Sequence, residues 1–284
     1  MQTFVTREEI THWRQQKLAL GQSVGFVPTM GALHKGHLSL VEQASKENEV
    51  VIVSIFVNPK QFNIDADLDQ YPRMIEADLK LLKKFDHIVV FLPSESEMYP
   101  ENQPFEPMPL ERIGQLMEGA HRPGHFEGVV HVVHHLFDLI APNKAYFGQK
   151  DFQQLAVIRQ LNAYYQFGIE IIGCQTIREA NGLAMSSRNL RLNEAQREQA
   201  AAIYKALCYI KKQVGHMPIE LAKKNAMEQI ENAGLKLEYL EIVDPLTLDA
   251  CIDWQSLQVC CIAAVCGGFA LFANCCLNWF FGVN

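Results

Sequence analysis

The fold is decided at Phe26-Val27-Pro28-Thr29-Met30-Gly31-Ala32-Leu33-His34-Lys35-Gly36-His37, where an apolar run breaks on proline and glycine and ends in two histidines. Ser23 to Val27 reads as a short strand, and Leu38, Leu40, Val41 and Ala44 mark one face of an amphipathic helix beginning near Gly36-His37. Strand, loop and helix in this order put the loop at the carboxyl edge of a parallel sheet. There the helix offers unpaired N–H groups and the positive end of its dipole to an anion. A triphosphate fits such a site: Gly31 and Gly36 allow close backbone approach, and His34 and His37 can donate to phosphate oxygens as charge builds up. The two histidines equally suit a zinc pair or exposed loop positions, and four residues alone do not separate these readings.

The rest of the chain extends the same pattern. Thr6 with Glu9 forms a capping box for a helix to about Leu20. Glu49 to Val57 is a near-continuous β-branched run, suited to a strand buried on both faces. Met74 to Phe85 reads as helix and His87 to Leu92 as a third strand, which implies a doubly wound parallel sheet of Rossmann-like α/β type. Pro93 to Pro123 is a proline-rich excursion beside the site. Helix is expected over 127–140 and 151–167, and strand over 145–147 and 168–176. Charged, alanine-rich helices follow at about 193–214 and 218–233, then strands over 235–243 and 258–265. This change of texture divides the chain into a Rossmann-like domain, residues 1–178, and a smaller α+β C-terminal domain, residues 179–284.

With 284 residues and 49% hydrophobic content the chain can bury a full core in two domains. A net charge of −7 argues against nucleic acid or an anionic membrane as partner, so an anionic substrate needs a local basic cluster. Met1 to Glu9 has no signal-peptide character, which favours the cytoplasm, and the 8 cysteines then act as reduced, small apolar residues. Val259 to Phe281 is long and apolar enough to cross a bilayer. Gly267-Gly268, Asn274, Asn278 and the lack of flanking lysine or arginine argue against an anchor. Gly267 to Asn284 is expected either as a closing strand or as a poorly packed apolar end.

Four further segments carry candidate chemistry. Asn58-Pro59-Lys60-Gln61-Phe62-Asn63 leaves the second strand, and the Gln61 amide can bind a hydroxyl and a carboxylate without neutralising the latter, although Asn-Pro alone also marks a turn. Phe147 to Gln154 is a second strand-to-helix corner, in which Lys150 can act as a point charge on phosphates and Gln154 projects one turn later. Ala184-Met185-Ser186-Ser187-Arg188-Asn189 sets two hydroxyls beside a guanidinium, suited to pyrophosphate or to a helix cap. Asp65, Asp67, Asp69 and Asp78 are candidate magnesium ligands. His131, His134 and His135 lack a partnering cysteine or carboxylate and read as structural.

Pro28 to His37, Asn58 to Phe62, Phe147 to Gln154 and Arg178 to Asn189, with Arg122 to Val129, occur in the order and approximate spacing of the pantoate–β-alanine ligases, a family of the His-Ile-Gly-His nucleotidylyltransferase superfamily, which the chain resembles over roughly residues 1–250. The resemblance implies an AMP-forming ligase that joins pantoate to β-alanine through an acyl-adenylate, with ATP and magnesium, as a cytoplasmic homodimer. It implies catalytic roles for His37, His34, Lys150 and Arg188, and an ATP pocket of Met30, Gly31, Gly148, Gln149, Asp151, Ile177, Met185, Ser186 and Ser187 with those four. It assigns pantoate to Gln61 and Gln154 and the metal to Asp78. Gln149 stands where the family usually has glutamate and Asn181 where it has aspartate, and the closing arginine-leucine-isoleucine-aspartate-asparagine pattern is not found after Leu248. A nucleotidylyltransferase acting on a phosphorylated acceptor and a non-catalytic or membrane-associated relative are the competing expectations.

Overall fold

Strands rich in β-branched residues with no polar interruption need cover on both faces, which a parallel sheet wound with helices provides. The structure, a computed structural model, describes residues 1–63, 65–101, 104–255 and 257–277. Strands β1 (Gln2–Phe4), β2 (Val24–Thr29), β3 (Val50–Ile55), β4 (Ile88–Phe91), β5 (Lys144–Gly148) and β6 (Glu170–Cys174) form one parallel sheet in the order β1-β4-β3-β2-β5-β6. Strands β7 (Lys236–Val243), β8 (Val259–Cys266) and β9 (Phe269–Cys276) form an antiparallel sheet in sequence order.

The helices α1 (Arg7–Ala19), α2 (Lys35–Glu47), α3 (Asp65–Asp69), α4 (Ile75–Leu82), α5 (Glu95–Met98), α6 (Met117–His121), α7 (His125–Ile140) and α8 (Phe152–Tyr164) accompany the large sheet. Helices α9 (Glu194–Gln213) and α10 (Ile219–Asn232) cover the small one. On β3, Val50 and Ile52 pack with Ile10 and Trp13 of α1 and with α7, while Val51, Val53 and Ile55 pack with Leu38, Val41 and Ala44 of α2. Burial on both faces is what its composition demands, and the fold is the doubly wound sheet with a smaller C-terminal sheet that the sequence implies.

Differences are local. Thr6 and Glu9 form the expected capping box on α1, but β1 precedes it, a three-residue edge strand too short and exposed to show in the sequence. The 93–123 segment is not wholly irregular, since it carries α5 and α6. Gly267 and Gly268, at φ 59° and 85°, turn β8 into β9. The apolar tail is therefore a paired strand through Cys276, with Leu271, Phe272 and Ala273 buried. Residues 278–284 lie outside the described residues, and with them Asn278. Among the described residues no helix is long and apolar enough to cross a membrane.

The chain runs from β2 outward through β3 and β4, then returns to place β5 on the other side of β2. This reversal opens a crevice beyond the carboxyl ends of β2 and β5, the place where such sheets bind ligands. One wall is fixed by a backbone contact: a Cβ on Gly128 of α7 would overlap the Lys60 carbonyl and Gln61 Cα. Gly128→Ala is expected to destabilise the protein by ~1–3 kcal/mol through overpacking. The check is a lower urea midpoint at unchanged slope; an unchanged midpoint would show that α7 can yield there.

Candidate active site

The loop after β2 turns through two left-handed residues, Gly31 at φ 81° and Ala32 at φ 48°. Such a turn aligns successive N–H groups, and here the Asp78 carboxylate fills them, accepting from Ala32 at 2.9 Å and Leu33 at 2.7 Å. Asp78 is 1% exposed and does not line the cavity. Both carboxylate oxygens fasten the loop. Asp67 is also committed elsewhere, to Arg188 at 3.2 Å and Arg191 at 3.0 Å. The side chain of Asp65 lies outside the described residues, and Asp69 is exposed.

His34 caps α2, its Nδ1 accepting from Gly36 N–H at 3.1 Å, and His37 Nδ1 accepts from His34 N–H at 3.4 Å. The rings lie 4.0 Å apart between centroids. Burial holds His34 down to about 4 and His37 to about 3, with Lys150 adding repulsion at His34 and His34 at His37. Both are therefore neutral at pH 7, and with Nδ1 accepting, each carries its proton on Nε2. They line the cavity as neutral donors at a helix N-terminus. Among the described residues no cluster of three histidine, cysteine or acidic side chains could hold a metal ion, so the zinc alternative gains no support.

The other candidates converge on this wall. Met30, Gln61, Gly148, Lys150, Asp151, Gln154, Ile177, Met185, Ser186, Ser187 and Arg188 line one cavity with His34 and His37. Gln61 is set by Asn58, whose Nδ2 donates to Gln61 Oε1 at 3.2 Å and to the Gly128 carbonyl at 3.1 Å. Lys150 Nζ sits 2.8 Å from Asp151 Oδ1, and that lysine holds the Asp151 carboxyl below its ordinary value against burial. Ser187 Oγ donates to the Ala32 carbonyl at 3.1 Å, tying the 184–189 segment to the loop. Gly31 and Gln149 are not brought to the wall: Gly31 forms the turn, and the Gln149 amide donates to the Gly173 carbonyl at 3.1 Å. Asn181 Nδ2 bonds the Arg197 carbonyl, away from the cavity.

Several lining residues had no assigned role in the sequence. Glu118 and Arg122 come from α6 and the turn after it, spaced one helical turn apart, which the pattern could have signalled. His125 Nδ1–H donates to the Gln61 carbonyl at 2.8 Å. Phe272 arrives from β9, and beside it Asn274 Nδ2 donates to the carbonyls of Gln149 at 2.8 Å and Lys150 at 2.6 Å. No local signal announces these, because they reach the site only through docking of the small sheet. His131, His134 and His135 pack instead among Tyr99, Phe105 and Tyr165, His131 stacking on Phe105 at 4.1 Å.

An open parallel sheet with a histidine-capped helix and cationic side chains at its reversal point defines a Rossmann-like nucleotide-binding enzyme. The family described as Pantoate-beta-alanine ligase matches residues 2–276, and the chain belongs to that family. A pantothenate synthetase of Cytophaga hutchinsonii is 48% identical over 278 residues, covering 93% of this chain and 97% of that one. One of Bacteroides fragilis is 47% identical, covering 90% and 92%. The crystal structure of pantothenate synthetase from Thermus thermophilus superposes with a TM-score of 0.92 at 39% identity, over 98% of this chain and all (100%) of that one. That of pantoate-β-alanine ligase from Francisella tularensis, complexed with β-γ ATP and β-alanine, gives 0.80 at 35%, over 96% and 97%.

The buried imidazoles set a pH dependence. The unfolded chain protonates its histidines near 6.5, whereas His34, His37 and His125 resist protonation until about 4, 3 and 3. At these three rings the unfolded state binds more protons, which outweighs Glu118, raised to about 7 and protonated first in the native state, so stability falls as pH falls from about 6.5 toward 4. Denaturant midpoints measured across that range without nucleotide should drop; a flat profile would show that these rings remain hydrated.

Proposed function

We propose that this cavity joins pantoate to β-alanine at the expense of ATP, releasing AMP and pyrophosphate through a pantoyl-adenylate. The supporting observation is the composition of one wall: neutral His34 and His37 donors at a helix N-terminus, cationic Lys150 and Arg188, and the amides of Gln61 and Gln154. Gln61 and Gln154 hold the hydroxy acid and leave its carboxylate nucleophilic. That carboxylate attacks the α-phosphorus of ATP. His34 and His37 donate to the phosphate oxygens as charge develops, Lys150, Ser186, Ser187 and Arg188 take the departing pyrophosphate, and Met30, Ile177 and Met185 border the nucleotide. Neutral amides rather than cations at the acceptor end favour a carboxylic acid over a phosphorylated acceptor.

Magnesium, which would neutralise triphosphate charge, has no cage of protein ligands among the described residues and would ride on phosphate oxygens and water. Residues 179–284 act in this reading as a lid over the nucleotide, in a cytoplasmic homodimer.

Pantoate alone is expected to support pyrophosphate exchange into ATP, because the wall supplies phosphate and carboxylate contacts before any amine is needed. Exchange that required β-alanine would contradict the two-step order. Gln61→Ala, which leaves substrate polar groups unpaired, should weaken pantoate by ~1–3 kcal/mol and ATP much less. His37→Ala should slow adenylate formation by ~10²–10³ while ATP binding falls less; equal losses would mean a contact to the ground state alone.

A further inference from the structure

Glu118 is an acidic side chain of the cavity that the phosphate chemistry does not use. Its placement is enforced. Met117 before it is left-handed at φ 39°, and buried Gln153 pins the turn, Oε1 accepting the Glu118 N–H at 2.9 Å and Nε2 donating to the carbonyls of Ile113 at 2.7 Å and Leu116 at 2.8 Å. A Cβ on Gly119 would overlap the Gly114 carbonyl, so the segment is packed against its own approach. A left-handed methionine is an unfavourable backbone state that persists where the surroundings over-determine it, which is common at functional positions.

The carboxylate so placed is 7% exposed and lines the cavity. Its nearest cation, Arg122 Nη1, stands 3.8 Å away, too far for a hydrogen bond. Arg122 Nη1 also lies 3.3 Å from His125 Nε2. Asp151 raises the Glu118 carboxyl further, while Lys150 and Arg188 act with Arg122 to lower it. From the small sheet, Tyr239 and Cys261 face it, both kept neutral because burial lifts them well above their ordinary values. Burial is the largest influence and pushes Glu118 up to about 7. It is thus a stronger base than an ordinary glutamate and still substantially ionised at neutral pH.

A carboxylate and a guanidinium held side by side without a tight bond are complementary to a short zwitterion. We propose that Glu118 receives the ammonium of β-alanine and accepts its proton so that the amine can attack the acyl-adenylate, with Arg122 facing the substrate carboxylate. This inference rests on the ligase reading above. In the step, an ammonium N–H bond breaks and the proton passes to a Glu118 oxygen. The freed lone pair forms the C–N bond at the acyl carbon, the acyl C–O bond breaks with its electron pair leaving on AMP, and the second proton of the nitrogen goes to water. No other cofactor or oxidant is required.

The test separates the two half-reactions by nucleophile. Parent, Glu118→Gln and Glu118→Asp proteins are assayed for pantoate-dependent pyrophosphate exchange and for single-turnover reaction of enzyme-bound adenylate with β-alanine. A third assay replaces β-alanine by hydroxylamine, which is already unprotonated at neutral pH. Glu118→Gln should slow the β-alanine step by ~10², the usual scale of general-base catalysis, while exchange and the hydroxylamine step stay within about twofold; Glu118→Asp should recover part of the loss. Retained exchange also shows that the variant is folded. A Glu118→Gln protein that uses β-alanine as fast as the parent overturns the proposal, and so does equal slowing of all three reactions, which would make Glu118 a structural residue. A parent protein with no pantoate-dependent exchange overturns the ligase reading instead, and the proposal with it.

Discussion

The site depends on the carboxylate of Asp78 under the loop after β2. Gly31 and Ala32 are both left-handed, and for alanine that conformation is unfavourable. The turn it makes converts the direction of β2 into that of α2 within a few residues. Two N–H groups left pointing inward would be costly if unpaired. Asp78 pairs both; burial raises its carboxyl above the ordinary value, and the bonds to Leu33 and Ala32 counter that only in part. The N–H groups of this turn are therefore filled from behind, and the chain runs on directly to the His34 cap of α2.

Three further contacts carry that geometry across to the small sheet. Ser187 reaches the Ala32 carbonyl, Asn274 spans the carbonyls of Gln149 and Lys150, and Arg178 donates to the Asn274 carbonyl at 2.8 Å while lying over Tyr204. The corner that presents Lys150 is thus held by a strand from the far end of the chain. The cysteine-rich tail has a physical purpose in this arrangement: Cys260 and Cys261 supply small apolar volume, so β8 can pack against α9 on one face and against the Met117 and Phe152 cluster on the other.

What could be read beforehand follows from how local the signal is. The doubly wound sheet was legible because β3 and its neighbours are buried on both faces, a demand written directly into their side chains. The His34, Gln61 and Lys150 segments are legible because each follows a strand end, and the Arg188 segment because two hydroxyls stand beside its guanidinium. Asp78 is ambiguous from sequence, because a carboxylate near the carboxyl edge can serve a metal or the backbone; here both its oxygens bond the N–H groups of the left-handed turn. The resemblance sets Gly31 and Gln149 in the pocket, whereas here Gly31 forms the turn and the Gln149 amide bonds the Gly173 carbonyl. Asn274 and Phe272 were invisible because their role exists only across the packed sheets. The tail was hard to read for the opposite reason, since an uncharged run of that length suits a bilayer or a buried hairpin, and Gly267-Gly268 becomes informative once its turn is seen.

The remaining question is how a chain with a net charge of −7 holds a polyanionic substrate. The cations of the cleft are distributed in pairs with acids: Lys150 with Asp151, Arg188 and Arg191 with Asp67, Arg122 with Glu118. Gathering bare cations in a partly desolvated cavity would raise its energy through mutual repulsion. Pairing removes that penalty in the empty site, and the histidines avoid it by staying neutral. Asp67 holds Arg188 and Arg191 together and so joins α3 to the 187–191 turn. That turn also leans on the Ala32 carbonyl through Ser187, beside the loop that leads to His34 and His37.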